Sequence, residues 1–310
     1  MAPPPTSPSP QPAPRPATGE PWTIRRLLEW TAAFFDRKDV DSPRLSAELL
    51  LAHVLNLPRI RLYTDYQRVL DEAILARFRD LVRRAGEHEP IAYLTRRAHF
   101  FNLEFEVTPD VLIPRPDTET IVEHVLQQVR FTPGLESPRV LDLCTGSGCI
   151  AAAVAHHLKS AAVLAIDLSE AAVAVARRNV ERLGLADRVM LACGDLYGPL
   201  ESQITAAPFD LIVSNPPYIP TGAIAGLDRN VREYEPHTAL DGGADGLDLL
   251  RRIIAGAPAR LLPGGRLYVE IQFDQGEAVK QLATAAGLTE VRILRDHAGN
   301  DRVLHARNAA

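Results

Sequence analysis

Three cysteines in 310 residues are too few for a disulfide framework and odd in number. Cys144, Cys149 and Cys193 also lack the paired spacing of a zinc site. They fall in apolar surroundings inside expected core elements and read as reduced thiols, so no metal site is expected. No apolar run approaches the length of a membrane span, and the N-terminus has no apolar signal-peptide core. A cytoplasmic protein without a membrane partner is the expectation. Excess basic charge is missing too. A formal net charge of −5 argues against affinity dominated by a phosphate backbone, and pairs such as Arg83-Arg84 and Arg96-Arg97 read as solvated faces. No stable nucleic-acid partner is therefore expected. What this length and a hydrophobic content of 46% do permit is two modest domains with cores of their own.

Residues 1–21 are dominated by Pro, Ala, Ser and Thr, a composition that buries too little apolar surface to offset its ordering entropy, and read as a disordered Pro-rich tail. Residues 22–97 read as a helical domain that serves substrate recognition or plain stability. Thr23 is placed to cap a helix with Ile24, Leu27, Leu28, Trp30 and Phe34 on one face, and Ser42-Pro43 reads as a cap followed by a first-turn proline. Further helices are expected from Leu45 to Leu55, from Asp71 to Ala85 and after Glu89-Pro90. No titratable cluster there suggests chemistry. Residues 98–118 read as a β-hairpin linker: Phe100 to Val107 alternates apolar and polar, Thr108-Pro109-Asp110 is the expected turn, and Val111-Leu112-Ile113 follows. Residues 119–310 alternate strand and helix patterns, which predicts an α/β domain with a mainly parallel sheet. Its ligand crevice is expected at the carboxyl ends of the strands.

Two motifs carry the chemistry. Arg139 to Leu143 is an apolar strand, Cys144-Thr145-Gly146-Ser147-Gly148 a small-residue turn and Cys149 to Leu158 an Ala-rich helix. A second buried strand ends on Asp167, nineteen residues beyond Gly148, where an acid can accept both hydroxyls of a ribose. That pattern suits a nicotinamide cofactor as well as a methyl donor. The second motif separates them. Phe209 to Ser214 is an apolar strand that ends in Asn215-Pro216-Pro217-Tyr218. The residue before a proline is pushed to extended backbone, and the prolines lack N–H groups, so the turn presents acceptors. The Asn215 side-chain oxygen and a nearby carbonyl can hold a planar NH2, with the Tyr218 ring beside it. Hydride transfer has no use for such a clamp; methyl transfer to an amide or amino nitrogen does. The segment from Ile219 to Gly246 reads as a loop long enough to be functional, while His156, His157 and His237 read as structural.

Together these segments resemble the Rossmann-like class I S-adenosylmethionine-dependent methyltransferases, and within them the release factor glutamine methyltransferases, the HemK or PrmC family. The resemblance also rests on Ser42-Pro43-Arg44-Leu45, on Pro90 to Thr95, on Leu112 to Glu119, on Glu235-Pro236 to Gly246-Leu247 and on Asp301-Arg302-Val303. It implies methyl transfer from S-adenosylmethionine, with S-adenosylhomocysteine as product, to the glutamine N5 of the Gly-Gly-Gln tripeptide in class-I peptide chain release factors. By position, Cys144, Thr145, Gly146, Ser147 and Gly148 would line the methionine part of the donor. Asp167 would bind its ribose, Asp195-Leu196 would lie near the adenine, and Asn215 would border donor and glutamine alike. Asn215, Pro216, Pro217 and Tyr218 would hold the glutamine amide, and Asn215, Pro216 and Tyr218 are the catalytic candidates. Cys144 departs from the family, whose loop usually begins with Gly, and Arg96 stands where Gly is common. Two other readings fit parts of the pattern: a methyltransferase for the adenine amino group of DNA or RNA, which would stack a flipped base on Tyr218, and a non-catalytic scaffold that binds S-adenosylmethionine.

Overall fold

The computed structural model describes residues 21–201 and 208–309. All of the expected Pro-rich tail except Pro21 lies outside the described residues. The chain divides into two compact units, residues 1–95 and 96–310. Among the described residues no helix is long and apolar enough to cross a membrane.

The first unit holds α1 (Ile24–Asp36), α2 (Pro43–Leu55), α3 (Arg61–Thr64), α4 (Glu72–Ala85) and α5 (Ile91–Thr95). Thr23 caps α1, its hydroxyl accepting from the Arg26 N–H at 3.3 Å, and the Asp71 carboxylate caps α4 from the Ile74 N–H at 2.8 Å. Ser42 does not cap α2. Its backbone is left-handed, with φ +46°, and its side chain makes no capping bond; Pro43, whose missing N–H is not needed at the first helical position, opens the helix instead. The helices enclose a core that includes Leu28, Phe35, Leu50, Leu51, Leu62 and Phe78.

The second unit opens with a hairpin of β1 (Arg97–Phe100) and β2 (Leu103–Glu106), in which Phe100 faces Leu103 directly. The turn is therefore Phe101-Asn102, not the expected Thr108-Pro109-Asp110. Both turn residues have positive φ, +48° and +61°, as a two-residue turn matched to strand twist requires. Then follow α6 (Glu119–Phe131), β3 (Arg139–Leu143), α7 (Cys149–His157), β4 (Ala162–Asp167), α8 (Glu170–Arg182), β5 (Val189–Cys193), α9 (Gly198–Glu201) and β6 (Phe209–Ser214). The segment expected as an open loop contains 3-10 turns at Thr221–Gly226 and His237–Ala239 and the short α10 (Arg229–Tyr234). The chain ends with α11 (Asp248–Gly256), β7 (Leu261–Glu270), α12 (Gly276–Ala285), β8 (Thr289–Arg295) and β9 (Asp301–Arg307).

Among the described residues, seven strands form one sheet in the order β5-β4-β3-β6-β7-β9-β8. The first five are parallel, and β9 runs antiparallel between β7 and β8. Successive residues of a strand point to opposite faces, and here both faces are covered. Val140, Leu211 and Val213 join one core with Ile121, Val125, Ile150 and Val154. Leu141, Ile212 and Leu267 join another with Leu250, Ile253 and Val279. Full burial of each such side chain contributes about 1.5–3 kcal/mol, which fixes β3 and β6 side by side. From β3 the chain runs outward to β5 and then returns to the other side of β3 at β6. The crevice at the carboxyl ends of β3 and β6 is thus the switch point of the sheet.

Candidate active site

A cavity of about 310 Å³ opens at that switch point. The loop after β3 forms its floor with Cys144, Thr145, Gly146 and Ser147; Asp167 and Ser169 come from the end of β4, and Asn215 and Pro217 from the end of β6. Residues between Asp110 and Thr118, together with Pro236, Thr238 and Ala239, complete the wall. The floor loop is held by the Thr145 N–H, which donates to the Ile166 carbonyl at 3.1 Å. Its last residue, Gly148, has φ +79°, and a Cβ there would stand 3.2 Å from the Ala176 Cβ. Only glycine lets α7 start this close to α8.

Three acids shape the electrostatics. Asp167 accepts the Gly146 N–H at 2.8 Å and the Ser169 N–H at 2.9 Å. Burial raises its pKa, and these backbone donors pull the other way. Asp142, on β3 directly beneath the loop, is fully buried: one oxygen accepts from the Thr145 hydroxyl at 2.6 Å and the Ala151 N–H at 3.2 Å, while Oδ1 has no partner among the described residues. Burial pushes it up to about 7 against those two bonds. Glu270, at the end of β7, is 1% exposed. Its Oε1 accepts the Tyr218 hydroxyl at 3.0 Å, and its Oε2 has no partner at hydrogen-bond distance among the described residues. Burial pushes this carboxyl to about 7 as well, opposed by the hydroxyls of Thr118 and Tyr218 and by Arg302, and reinforced by Asp117.

The Asn215 amide is oriented. Its Nδ2 donates to the Thr118 hydroxyl at 3.0 Å, a network assignment that leaves Oδ1 as the outward acceptor. The wall residues are tied down by buried Glu235, which accepts from Arg115 at 2.5 Å and from the Ile113 N–H at 3.2 Å.

Comparison with known proteins identifies the family. Residues 26–95 match the PrmC N-terminal domain and residues 117–226 the methyltransferase small domain. The release factor glutamine methyltransferase of Geobacter sulfurreducens is 45% identical over 288 residues, which cover 93% of this chain and 98% of that protein. The chain belongs to the release factor glutamine methyltransferase family. The family's enzyme from Moorella thermoacetica is 46% identical over 281 residues, 90% of this chain and 96% of the relative. The crystal structure of the hMettl16 catalytic domain with MAT2A 3′UTR hairpin 1 has the same fold, with a TM-score of 0.54 at 17% identity over 67% of this chain and 75% of that one.

Of the residues that the family resemblance singled out, the fold brings Cys144, Thr145, Gly146, Ser147, Asp167, Asn215 and Pro217 together around the cavity. Gly148, Asp195, Leu196, Pro216 and Tyr218 do not line it. The Asp195 carboxylate pairs with Arg252 at 2.8 Å, Leu196 is buried in the core beneath the sheet, and Pro216 is buried. Tyr218 has its hydroxyl on Glu270 and its carbonyl on the Gln275 side chain at 3.0 Å; burial and Glu270 push its phenol well above the ordinary range. His156, His157 and His237 do not line the cavity either, although Pro236 and Thr238 beside His237 do. Asp142, Thr118 and Glu270 were not anticipated. The two acids did leave a trace in the sequence, since each interrupts an apolar run, Val-Leu-Asp-Leu in β3 and Tyr-Val-Glu-Ile in β7, where a charge needs a reason to be buried.

Proposed function

We propose that this chain transfers the methyl group of S-adenosylmethionine to the side-chain amide nitrogen of the glutamine in the Gly-Gly-Gln tripeptide of class-I peptide chain release factors. The carrying observation is Asn215: in the cavity wall, with its N–H occupied by Thr118, it turns an acceptor toward whatever planar NH2 enters. Family membership makes glutamine the group that brings that NH2.

The residues present suit the donor. A cavity of this size lies in the range for small-ligand sites. Asp167 keeps lone pairs free for two ribose hydroxyls beyond the backbone bonds it already accepts. Asp142 does not line the cavity; from beneath, its carboxylate holds the Thr145 hydroxyl and the Ala151 N–H and so fixes the floor loop. When bound, S-adenosylmethionine supplies a methyl carbon already activated by the sulfonium.

The remaining task belongs to the chain. An amide nitrogen is a poor nucleophile because its lone pair is delocalised into the carbonyl. Acceptors on both of its hydrogens, Asn215 Oδ1 and a carbonyl of the Asn215–Tyr218 turn, raise electron density on nitrogen and aim it. Holding nucleophile and carbon in line supplies several kcal/mol, on the order of 7 or more in well-oriented cases. Pro217 and residues between Asp110 and Thr118 line the approach. In this reading the nitrogen attacks as the neutral amide and sheds its proton to solvent after the transfer, so no general base is assigned; among the described residues no histidine lines the cavity.

The test is mass spectrometry of a release factor's Gly-Gly-Gln peptide after incubation with enzyme and donor. Wild type should add one methyl to the glutamine. Asn215→Ala should bind donor normally in a calorimetric titration and lose roughly a hundredfold or more in turnover. Turnover within about threefold of wild type would remove the clamp from Asn215.

A further inference from the structure

The seam between the β1–β2 hairpin and α8 is closed by a polar side chain with no access to solvent. Asn179 is 0% exposed, and its Oδ1 accepts the Glu106 N–H at 2.7 Å. Its Nδ2 donates to two carbonyls at 2.9 Å each, that of Glu106 in the hairpin and that of Ser147 in the floor loop. A backbone N–H can only donate and a carbonyl can only accept, so these three partners fix which end of the amide faces which group. The Ser147 carbonyl has a use for the bond. In a regular helix start it would accept the Ala151 N–H four residues on, but that N–H goes to Asp142 at 3.2 Å. α8 meets the floor loop again about one turn earlier, where a Cβ on Gly148 would stand 3.2 Å from the Ala176 Cβ, and nearer its start Ala172 lines the cavity.

We infer that Asn179 is a positioning residue of the donor site: it ties the Ser147 carbonyl, and with it the floor loop, to the seam where the hairpin docks, so that donor affinity depends on this amide. The inference rests on the reading of the cavity as the S-adenosylmethionine site. Asn179 does not line that cavity, but Ser147 does. The physical basis is the absence of a substitute. At this reach asparagine offers an acceptor for the Glu106 N–H together with two donors for the two carbonyls; an ionised aspartate has no donor, an apolar side chain has neither, and glutamine is one methylene longer. Ser147 is buried, and a buried carbonyl that loses its partner is costly to leave bare, so without Asn179 the loop shifts to find another. The donor then has to return the loop to its place as it binds, and its apparent affinity falls with the fraction of molecules in which the loop is already placed. Once the donor is bound the loop is in place, and the turn that carries Asn215, which Asn179 does not contact, works as before.

The experiment titrates S-adenosylmethionine calorimetrically into wild type, Asn179→Ala, Asn179→Asp and the control Leu288→Ala at pH 8, with melting temperatures and methyl transfer to a release factor measured alongside. Leu288 is a buried core residue that does not line the cavity, so Leu288→Ala should melt lower through the space it leaves and keep its donor Kd within about twofold of wild type. Asn179→Ala should raise both the Kd and the KM for the donor by about tenfold, while kcat at saturating donor stays within about threefold. Asn179→Asp separates the two ties, because it keeps an acceptor for the Glu106 N–H and turns a carboxylate oxygen toward the Ser147 carbonyl. It should weaken the donor at least as much, and it decides the matter if Asn179→Ala does not fold. Wild-type affinity in Asn179→Asp would leave Asn179 an anchor of the hairpin alone and overturn the inference. Equal loss of affinity in Leu288→Ala would make the effect one of general stability and overturn it too, as would a fall in kcat with KM unchanged. A wild type that does not bind the donor overturns the reading of the cavity itself, and the inference with it.

Discussion

Asp142 and Glu270 are two carboxyl groups that the fold holds at a cost, and the sign of that cost is measurable. Burial raises Glu270 from 4.5 to about 7 and Asp142 from 3.8 to about 7. A folded-state pKa above the unfolded one means that the native chain binds the proton more tightly. The stability this gives is fully present below the unfolded pKa and is lost as pH rises through 7. For Glu270 the loss is about 3 kcal/mol by pH 8. The groups facing it are Tyr218 from the turn after β6, Asp117 and Thr118 from the 3-10 turn before α6, Arg302 from β9 and Cys149 from α7; burial keeps both Tyr218 and Cys149 protonated in this window. His305, which burial lowers to about 4, works in the opposite direction below pH 6.5, so the informative quantity is the difference between two proteins that share it. The melting temperature of Glu270→Gln minus that of wild type should increase between pH 5 and pH 8 by about 5–10 °C. A difference that is flat with pH would mean that Glu270 ionises like an exposed acid. Asp167 calls for a different measurement. It lines the cavity, and a ribose hydroxyl bonded to a carboxylate is worth about 1.5–3 kcal/mol. Asp167→Ala should therefore weaken donor binding tenfold or more in a calorimetric titration, and an unchanged affinity would take Asp167 out of the site.

At the scale of elements, the turn after β6 is buttressed by the segment that follows it. The Ile219 N–H donates to the Leu240 carbonyl at 3.0 Å and the Gly242 N–H to the Ile219 carbonyl at 2.8 Å, while Gln275 Nε2 reaches the carbonyls of both Tyr218 and Gly246. Gly246 has φ +75°, and a Cβ there would lie 2.3 Å from the Tyr218 carbonyl oxygen. Gly246→Ala should cost roughly 3 kcal/mol or more, as left-handed strain and overpacking add, and should reduce turnover by displacing the turn. Gly287→Ala is the control. Its φ is +81° with nothing within 4 Å of the added carbon, so about 1–2 kcal/mol of strain is expected and normal turnover. Equal melting temperatures for the two variants would show that the close approach to Tyr218 has no energetic weight. The same elements explain what the sequence could reveal. β3, β4 and β6 were legible because strands covered on both faces are nearly unbroken apolar runs, and the floor loop, Asp167 and Asn215 were legible because each motif is contiguous with such a strand. The Phe101-Asn102 turn was not, since it carries no glycine to advertise positive φ. Thr118, Glu235 and Glu270 escaped for another reason: their partners Asn215, Arg115 and Tyr218 lie 97, 120 and 52 residues away, and only the folded sheet brings them together.

At the scale of the whole molecule, the question is which NH2 group reaches the clamp, and the charge distribution favours a protein over a nucleic acid. The pairs Arg83-Arg84 and Arg96-Arg97 are engaged with acids. Arg83 contacts Asp80 and Glu87 at 3.0 and 3.1 Å, and Arg84 contacts Glu89. In the second unit Arg96 pairs with Glu106 at 2.8 Å and Arg97 with Glu104 at 3.6 Å. Exposed pairs of this kind add little stability, but they cancel the local positive field that would attract a polyanion, and the net charge of −5 repels one. Binding of DNA or RNA should therefore be weaker than the roughly 10⁻⁴–10⁻⁶ M typical of non-specific nucleic-acid binders at physiological salt. The clamp sets the stoichiometry. An NH2 held by two acceptors loses one bond when the product carries a single N–H, so a second transfer is poorly aligned and should lag the first by tenfold or more, the price of one lost hydrogen bond at about 1.4 kcal/mol. Intact-mass measurement of a release factor incubated with excess donor should show one added methyl, none on its Gly-Gly-Gln variant with Gln→Ala, and no comparable incorporation into duplex DNA or RNA. Faster methylation of a nucleic acid would hand the clamp to the adenine amino group, and equal modification of the Gln→Ala factor would place the acceptor on a different side chain.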